Sequence, residues 1–118
     1  MIEVFPEVIF RALGDETRLR CLVLLHLQEE LCVCELTHAL QLAQPKISRH
    51  LAVLKNAHLL QDHREGVWIY YRLHPDLPEW IRDVLQKTQF ALQKQSPYTE
   101  DKQRLLTMPN RPGSLVCA

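Results

Sequence analysis

Apolar residues recur at helical spacing from the start of the chain. Val4, Val8, Ile9 and Ala12 fall on one face of a short helix that stops at Gly14. Asp15 then offers its carboxylate to the free amides of a second helix, expected over residues 16–27. Its buried stripe is Leu19, Leu22, Val23 and Leu27, with Arg18 and Arg20 left on the wet side. A third helix is expected over residues 31–40, with Leu36 and Leu40 inward, followed by a tight polar turn over residues 41–44. Pro45 suits a first helical position, where its missing amide proton costs nothing, and starts a fourth helix that runs to about Ala57. In it Ile47, Leu51 and Leu54 face inward while Lys46, Ser48 and Arg49 face out, which is the helix-turn-helix pattern.

The period then changes from 3.6 to 2. Residues 59–64 and 67–73 read as two strands around Glu65-Gly66, the second dense in Val, Trp, Ile and Tyr. Val67, Ile69, Tyr71 and Leu73 share one face; Trp68, Tyr70 and Arg72 share the other. A helix-turn-helix followed by a hairpin is a winged helix, so the fold class is mainly α with a β-hairpin wing. After Pro75 and Pro78, the residues Leu77, Trp80, Ile81, Val84, Leu85, Thr88 and Leu92 trace a stripe of about four helical turns. That is more than one small domain needs, and with the first helix it is expected to cover a second copy, giving a two-fold homodimer. From Ser96 on, three prolines and no periodicity read as a loosely ordered tail. The expected division is a DNA-binding and dimerisation domain over residues 1–95 and a tail over 96–118.

At 118 residues, 47% hydrophobic and 24% charged, the chain is the size and composition of one globular domain, which excludes disordered, collagen-like and disulfide-knot classes. The longest apolar run, residues 21–25, is far below the roughly 20 residues that span a bilayer. Residues 1–6 have no basic start before an apolar stretch, so no secretory signal is read and a cytoplasmic location is expected. Thiols there stay reduced. Cys21, Cys32, Cys34 and Cys117 are accordingly read as core residues, metal ligands or redox centres, not as two disulfides.

Net charge is zero, yet residues 41–73 hold five basic and two acidic side chains, leaving +3 there and −3 elsewhere. One basic third fits a protein that meets phosphates on a single face. Gln44, Lys46, Ser48 and Arg49 lead as DNA contacts, Arg for guanine, Gln for adenine, Lys46 and Ser48 for backbone oxygens. His50 sits between the exposed and buried faces, and His63 and Arg64 flank the tip of the wing. The competing reading of the same residues is an ordinary solvated face.

Cys32-Val33-Cys34 falls at the expected start of the third helix. Two positions apart on a helix means about 200° in direction, so at most one thiol points into the core. Both can hold one ion only if the first turn unwinds. A soft, thiol-loving ion would then distort the third helix and displace the reader helix beside it. Core packing and redox sensing are the alternatives. Cys21, between Arg20 and Leu22, reads as a small core residue; Cys117 either supplies another thiolate or does nothing. A small redox enzyme is disfavoured, since no Cys-x-x-Cys motif, phosphate loop or placed general base accompanies the thiols.

Four segments together resemble the ArsR/SmtB winged-helix repressors, in particular their arsenic-responsive ArsR branch. They are Gly14-Asp15-Glu16-Thr17-Arg18-Leu19, Glu30-Leu31-Cys32-Val33-Cys34-Glu35-Leu36, Gln44-Pro45-Lys46-Ile47-Ser48-Arg49-His50-Leu51 and Gly66-Val67-Trp68-Ile69-Tyr70-Tyr71-Arg72-Leu73. The resemblance covers roughly residues 6–95. It implies a homodimeric repressor of arsenic-resistance genes that leaves its operator when arsenite or antimonite, As(III) or Sb(III), binds. By the same resemblance Cys32 and Cys34 take the metalloid, while Gln44, Lys46, Ser48, Arg49 and His50 belong to the DNA-reading helix. The best-known members of the branch carry a third cysteine where this chain has Thr37, which leaves Cys117, a small thiol or hydroxide as third ligand. Cadmium- and lead-responsive relatives add cysteines near the N-terminus, and none precedes Cys21 here. Zinc-responsive relatives use Asp and His on the last helix, and residues 76–95 hold no His. A sensor of a soft divalent metal (Cd, Pb or Zn) and a thiol redox-responsive repressor are the remaining alternatives.

Overall fold

In the computed structural model, which describes residues 2–111, the helices are α1 (Pro6–Leu13), α2 (Glu16–Leu27), α3 (Val33–Leu40), α4 (Gln44–Asn56), α5 (Glu79–Leu92) and α6 (Tyr98–Leu106). Strands β1 (Leu31–Cys32), β2 (Leu60–Glu65) and β3 (Trp68–Leu73) form one antiparallel sheet in the order β1-β3-β2. Helices α3 and α4 are the helix-turn-helix and β2-β3 the wing, so the winged-helix reading holds. Local signals set most boundaries. The Arg18 N–H donates to Asp15 Oδ1 (3.1 Å) at the start of α2, and Gly14 closes α1. Gln41 takes the left-handed conformation that ends α3 (φ 56°).

The core lies where α2, α3, α4 and α5 converge, with Leu24, Leu36, Leu40, Ile47, Leu51, Leu54 and Ile81 fully buried. Helix α2 runs through its middle and is buried nearly all round, from Thr17 and Arg20 to Leu25, instead of along the single stripe expected. Arg20 is therefore not on the wet side. Its guanidinium donates to both carboxylate oxygens of Asp101 on α6 (2.8 and 2.7 Å) and to the Leu40 carbonyl (3.0 Å).

That ion pair also corrects the reading of the tail over residues 98–106. Helix α6 packs on α2 and α3 through Tyr98, Asp101 and Leu105, and Arg104 donates to the Ala39 carbonyl (2.7 Å) and to Asp101. The long apolar stripe of α5 is divided. Ile81, Leu85 and Gln89 face the core, whereas Trp80 and Phe90 are exposed.

Candidate functional site

The cysteine pair departs from the helical reading. Leu31 and Cys32 pair with Tyr71 and Tyr70 of β3, so the backbone at Cys32 is extended (φ −84°, ψ 163°) and α3 starts one residue later. Cys32 is then the cap of the helix, not part of it, and the 200° separation does not apply. The Cα atoms of Cys32 and Cys34 lie 5.4 Å apart and their side chains are joined as a disulfide. No turn of α3 has to unwind for the two sulfurs to meet, and the proposed rupture of the helix is withdrawn.

Glu35 holds the arrangement. Its buried carboxylate accepts from the Cys32 N–H through Oε1 (2.9 Å) and from the Arg111 guanidinium through Oε2, while Arg111 also donates to Gln28 Oε1 (3.0 Å). This is a capping box with a cysteine in the place usually taken by serine or threonine. Cys32 and Cys34 thus sit at the N-terminal end of α3. Cys21 is a core thiol as expected, fully buried, and burial pushes its pKa up to about 12. Cys117 lies outside the described residues.

A cleft of about 900 Å³ opens beside the pair. Cys32, Cys34 and Thr37 contribute to its lining, Val67, Trp68, Ile69 and Tyr71 of the wing provide apolar and aromatic surface, and Gln44 and Ser48 of α4 complete it. The cysteine pair and the start of α4 therefore border one cleft, with Cys32 itself fully buried. Among the described residues no group of three or more His, Cys, Asp or Glu side chains gathers as a metal site.

On α4, Gln44 and Arg49 are exposed and Lys46 and Ser48 half-buried. His50 differs. Arg18 Nη1 lies 3.2 Å from its Nδ1, and because a guanidinium only donates, Nδ1 accepts and the ring is the neutral Nε2–H form. Burial, with Arg18, Lys46 and Arg49 nearby, holds its pKa below the usual histidine range against the pull of Asp15. The structure thus ties His50 to the start of α2 and not to the open face of α4. In the wing, His63 and Arg64 are both exposed, and His63 also stacks on Tyr70 (centroids 5.4 Å apart) between Glu30 and Glu65.

Sequence reasoning missed β1, Glu35 and the aromatic wall of the cleft. Glu35 was within reach: it stands three residues after Cys32, the capping-box spacing, once Cys32 and not Leu31 is taken as the boundary. The Arg111 contact, 76 residues away, left no local signal.

Residues 15–62 match the model of the bacterial regulatory protein arsR family. The chain is 50% identical over 114 residues to the arsenic resistance transcriptional regulator ArsR1 of Pseudomonas putida, covering 96% of this chain and 88% of that protein. It is 46% identical over 84 residues to the arsenical resistance operon repressor of Escherichia coli, covering 71% and 72% respectively. Among solved structures it is similar to the AntR antimony-specific transcriptional repressor, with a TM-score of 0.61, 28% identity and coverage of 73% of this chain and 75% of that one. Sequence likeness over nearly the whole chain and the shared winged-helix frame agree, and the chain belongs to the arsR family of bacterial regulatory proteins.

Proposed function

We propose that this chain is a metalloid-responsive transcriptional repressor. A homodimer holds operator DNA through α4 and the wing, and releases it when arsenite or antimonite takes the thiolates of Cys32 and Cys34. The observation that carries the reading is the joined cysteine pair beside a shared cleft: Cys32 and Cys34 border the same cleft as Gln44 and Ser48 of α4, with Cys32 itself fully buried. Adjacent thiolates suit a soft ion, and two of the three bonds that trivalent arsenic forms are at hand. The relatives named for arsenic resistance and the similar antimony-specific repressor support the same choice.

Binding is coupled to release through short connections. Helix α3 runs into the turn at Gln41 and then into α4 at Gln44. An occupied cleft has less room for α4 and the wing to keep the spacing that fits a groove, which shifts the population towards the weakly binding form. Cys117 is proposed as a third ligand for the inorganic ion. Arg111 is held on the same carboxylate that caps Cys32, and six extended residues span up to about 20 Å.

Gln44, Lys46, Ser48 and Arg49 are proposed to contact the major groove and Arg64 the phosphates beside it. His50 acts from behind that surface, and His63, exposed in the wing, is proposed to join Arg64 along the phosphates. The location proposed is the cytoplasm; among the described residues no helix is long and apolar enough to cross a membrane. No catalytic role is proposed.

The test is a mobility-shift titration of the reduced protein on the DNA upstream of its own coding region. Arsenite or antimonite is expected to release wild type, and Cys32→Ser and Cys34→Ser to stay bound. If wild type stays bound at saturating metalloid while cadmium, lead or zinc releases it, the assignment fails. The disulfide favours one second reading, a thiol redox response. It predicts release by peroxide, reversed by a dithiol reductant.

A further inference from the structure

Arg18, expected on the wet side of α2, is half-buried and turns its guanidinium to two other helices. Its Nε donates to the Ala12 carbonyl (2.6 Å) and its Nη2 to the Arg11 carbonyl (3.3 Å), both in the last turn of α1, where carbonyls lack the usual partner further along the helix. Its Nη1 donates to Nδ1 of His50 on α4 (3.2 Å). Helix α1, with the exposed Phe5 and Phe10 at its start and in its body, is one of the two expected to cover a second copy of the chain. We propose that Arg18 is a positioning residue for operator binding: it ties the dimer-forming helix α1 to the reader helix α4 and so sets the spacing and tilt of the two reader helices that a dimer presents to DNA. The inference rests on the reading of the chain as a dimer that holds DNA through α4.

Ile47, Leu51 and Leu54 seat α4 in the core, but apolar burial is non-directional and by itself leaves the helix free to tilt slightly. A planar guanidinium on a ring nitrogen fixes a direction. It meets α4 at His50, the seventh of 13 residues, and so acts at mid-helix. Small angles matter here. A helix of that length is about 20 Å long, and a tilt of about 10° moves one end by about 3.5 Å, close to one base-pair step. On a single half-site one head re-seats as a whole and absorbs such a shift. On paired half-sites the two heads are held at a fixed separation, and the second contact is lost once geometry forbids simultaneous engagement. Arg18 therefore governs how two heads fit one operator, not how one head reads its bases.

The experiment uses the reduced full chain without metalloid and three DNAs: the operator found by footprinting upstream of its own coding region, the same operator with one base pair inserted at its centre, and a half-operator. Affinities are compared by mobility shift at matched salt. Wild type is expected to prefer the native spacing over the inserted one by at least about tenfold. Arg18→Met is expected to lose about tenfold on the native operator, to keep less than about threefold of the spacing preference, and to bind the half-operator within about threefold of wild type. His50→Leu leaves the bonds from Arg18 to α1 in place, so it carries the test even where Arg18→Met fails to fold, and it is expected to show the same pattern. His50→Gln keeps an acceptor for Arg18 and is expected to restore the spacing preference. A His50→Leu variant that discriminates spacing as wild type does, or that loses affinity equally on the operator and the half-operator, overturns the proposal and leaves the dimeric reading intact. Wild type that holds the operator no better than the half-operator overturns both.

Discussion

Asp101 and Arg20 show how much a single buried charge decides. The carboxylate is 1% exposed and its partner side chain 11%, and the pair is completed by Arg104 and the Leu40 carbonyl. Removing one partner leaves the other charge without compensation in the interior, so Asp101→Ala is expected to cost about 3–5 kcal/mol in urea denaturation. Replacing both, as Arg20→Met with Asp101→Leu, is expected to recover most of that loss; a double variant no better than the single would show that packing of α6, not charge, is at stake. His50 carries a pH dependence. Its pKa is depressed in the fold, so between the unfolded value near 6.5 and the lower folded one the unfolded chain binds more protons. Stability is therefore full above about pH 6.5 and falls as the pH drops through that window. His50→Gln keeps an acceptor for Arg18 and is expected to flatten the slope, measurable as urea midpoints from pH 7 down to pH 5. On the open face of α4, Arg49→Ala is expected to weaken operator binding by about 1–3 kcal/mol at matched salt, and an unchanged affinity would remove Arg49 from the base contacts.

The wing turns on Gly66, whose φ of 61° lies in the left-handed region and whose missing Cβ would meet nothing within 4 Å. The penalty of a side chain there is conformational and not steric. Gly66→Ala is expected to lower stability by about 1 kcal/mol, and Gly66→Asn by less, since Asn tolerates that conformation. Thermal melting of the two variants checks the order. The observed two-residue loop is Gly66-Val67, closed by Glu65 opposite Trp68, one position later than Glu65-Gly66. Sequence could place the glycine but not the register, which depends on how β3 seats Tyr71 and Leu73 against the core. The same division runs through the fold. Asp15, Gly14 and Pro45 act on their immediate neighbours, so α2, α4 and the end of α1 were legible to within a residue, while α1 starts at Pro6, after the Val4 expected on its face. Strand β1 was not, because Leu31 and Cys32 are a strand only by pairing with Tyr71 and Tyr70, and that pairing is what frees Cys32 from the helix. Helix α6 was equally hidden: few of its residues are apolar, and its anchor is an ion pair across 81 positions.

Phe10 and Trp80 stack between α1 and α5 with ring centroids 6.3 Å apart, yet they remain 52% and 41% exposed. Phe5 at the start of α1 and Phe90 on α5 are 50% and 71% exposed. Single apolar residues at a surface need no explanation, but four aromatic rings on two adjoining helices do. Each ring removed from water contributes of order 1.5–3 kcal/mol, and a two-fold axis would count every contact twice. This is the surface expected to pair two chains, on helices other than the α3-α4 pair and the wing. A dimer reads two half-sites one helical turn apart, and a monomer keeps only one of them. Trp80→Glu places a charge in the Phe10–Trp80 stack. It is expected to sediment as a monomer at concentrations where wild type is dimeric, to keep the Cys32–Cys34 adduct chemistry, and to lose operator affinity by far more than any single contact on α4. If Trp80→Glu stays dimeric and binds DNA as wild type does, the pairing surface lies elsewhere and the aromatic cluster needs another partner.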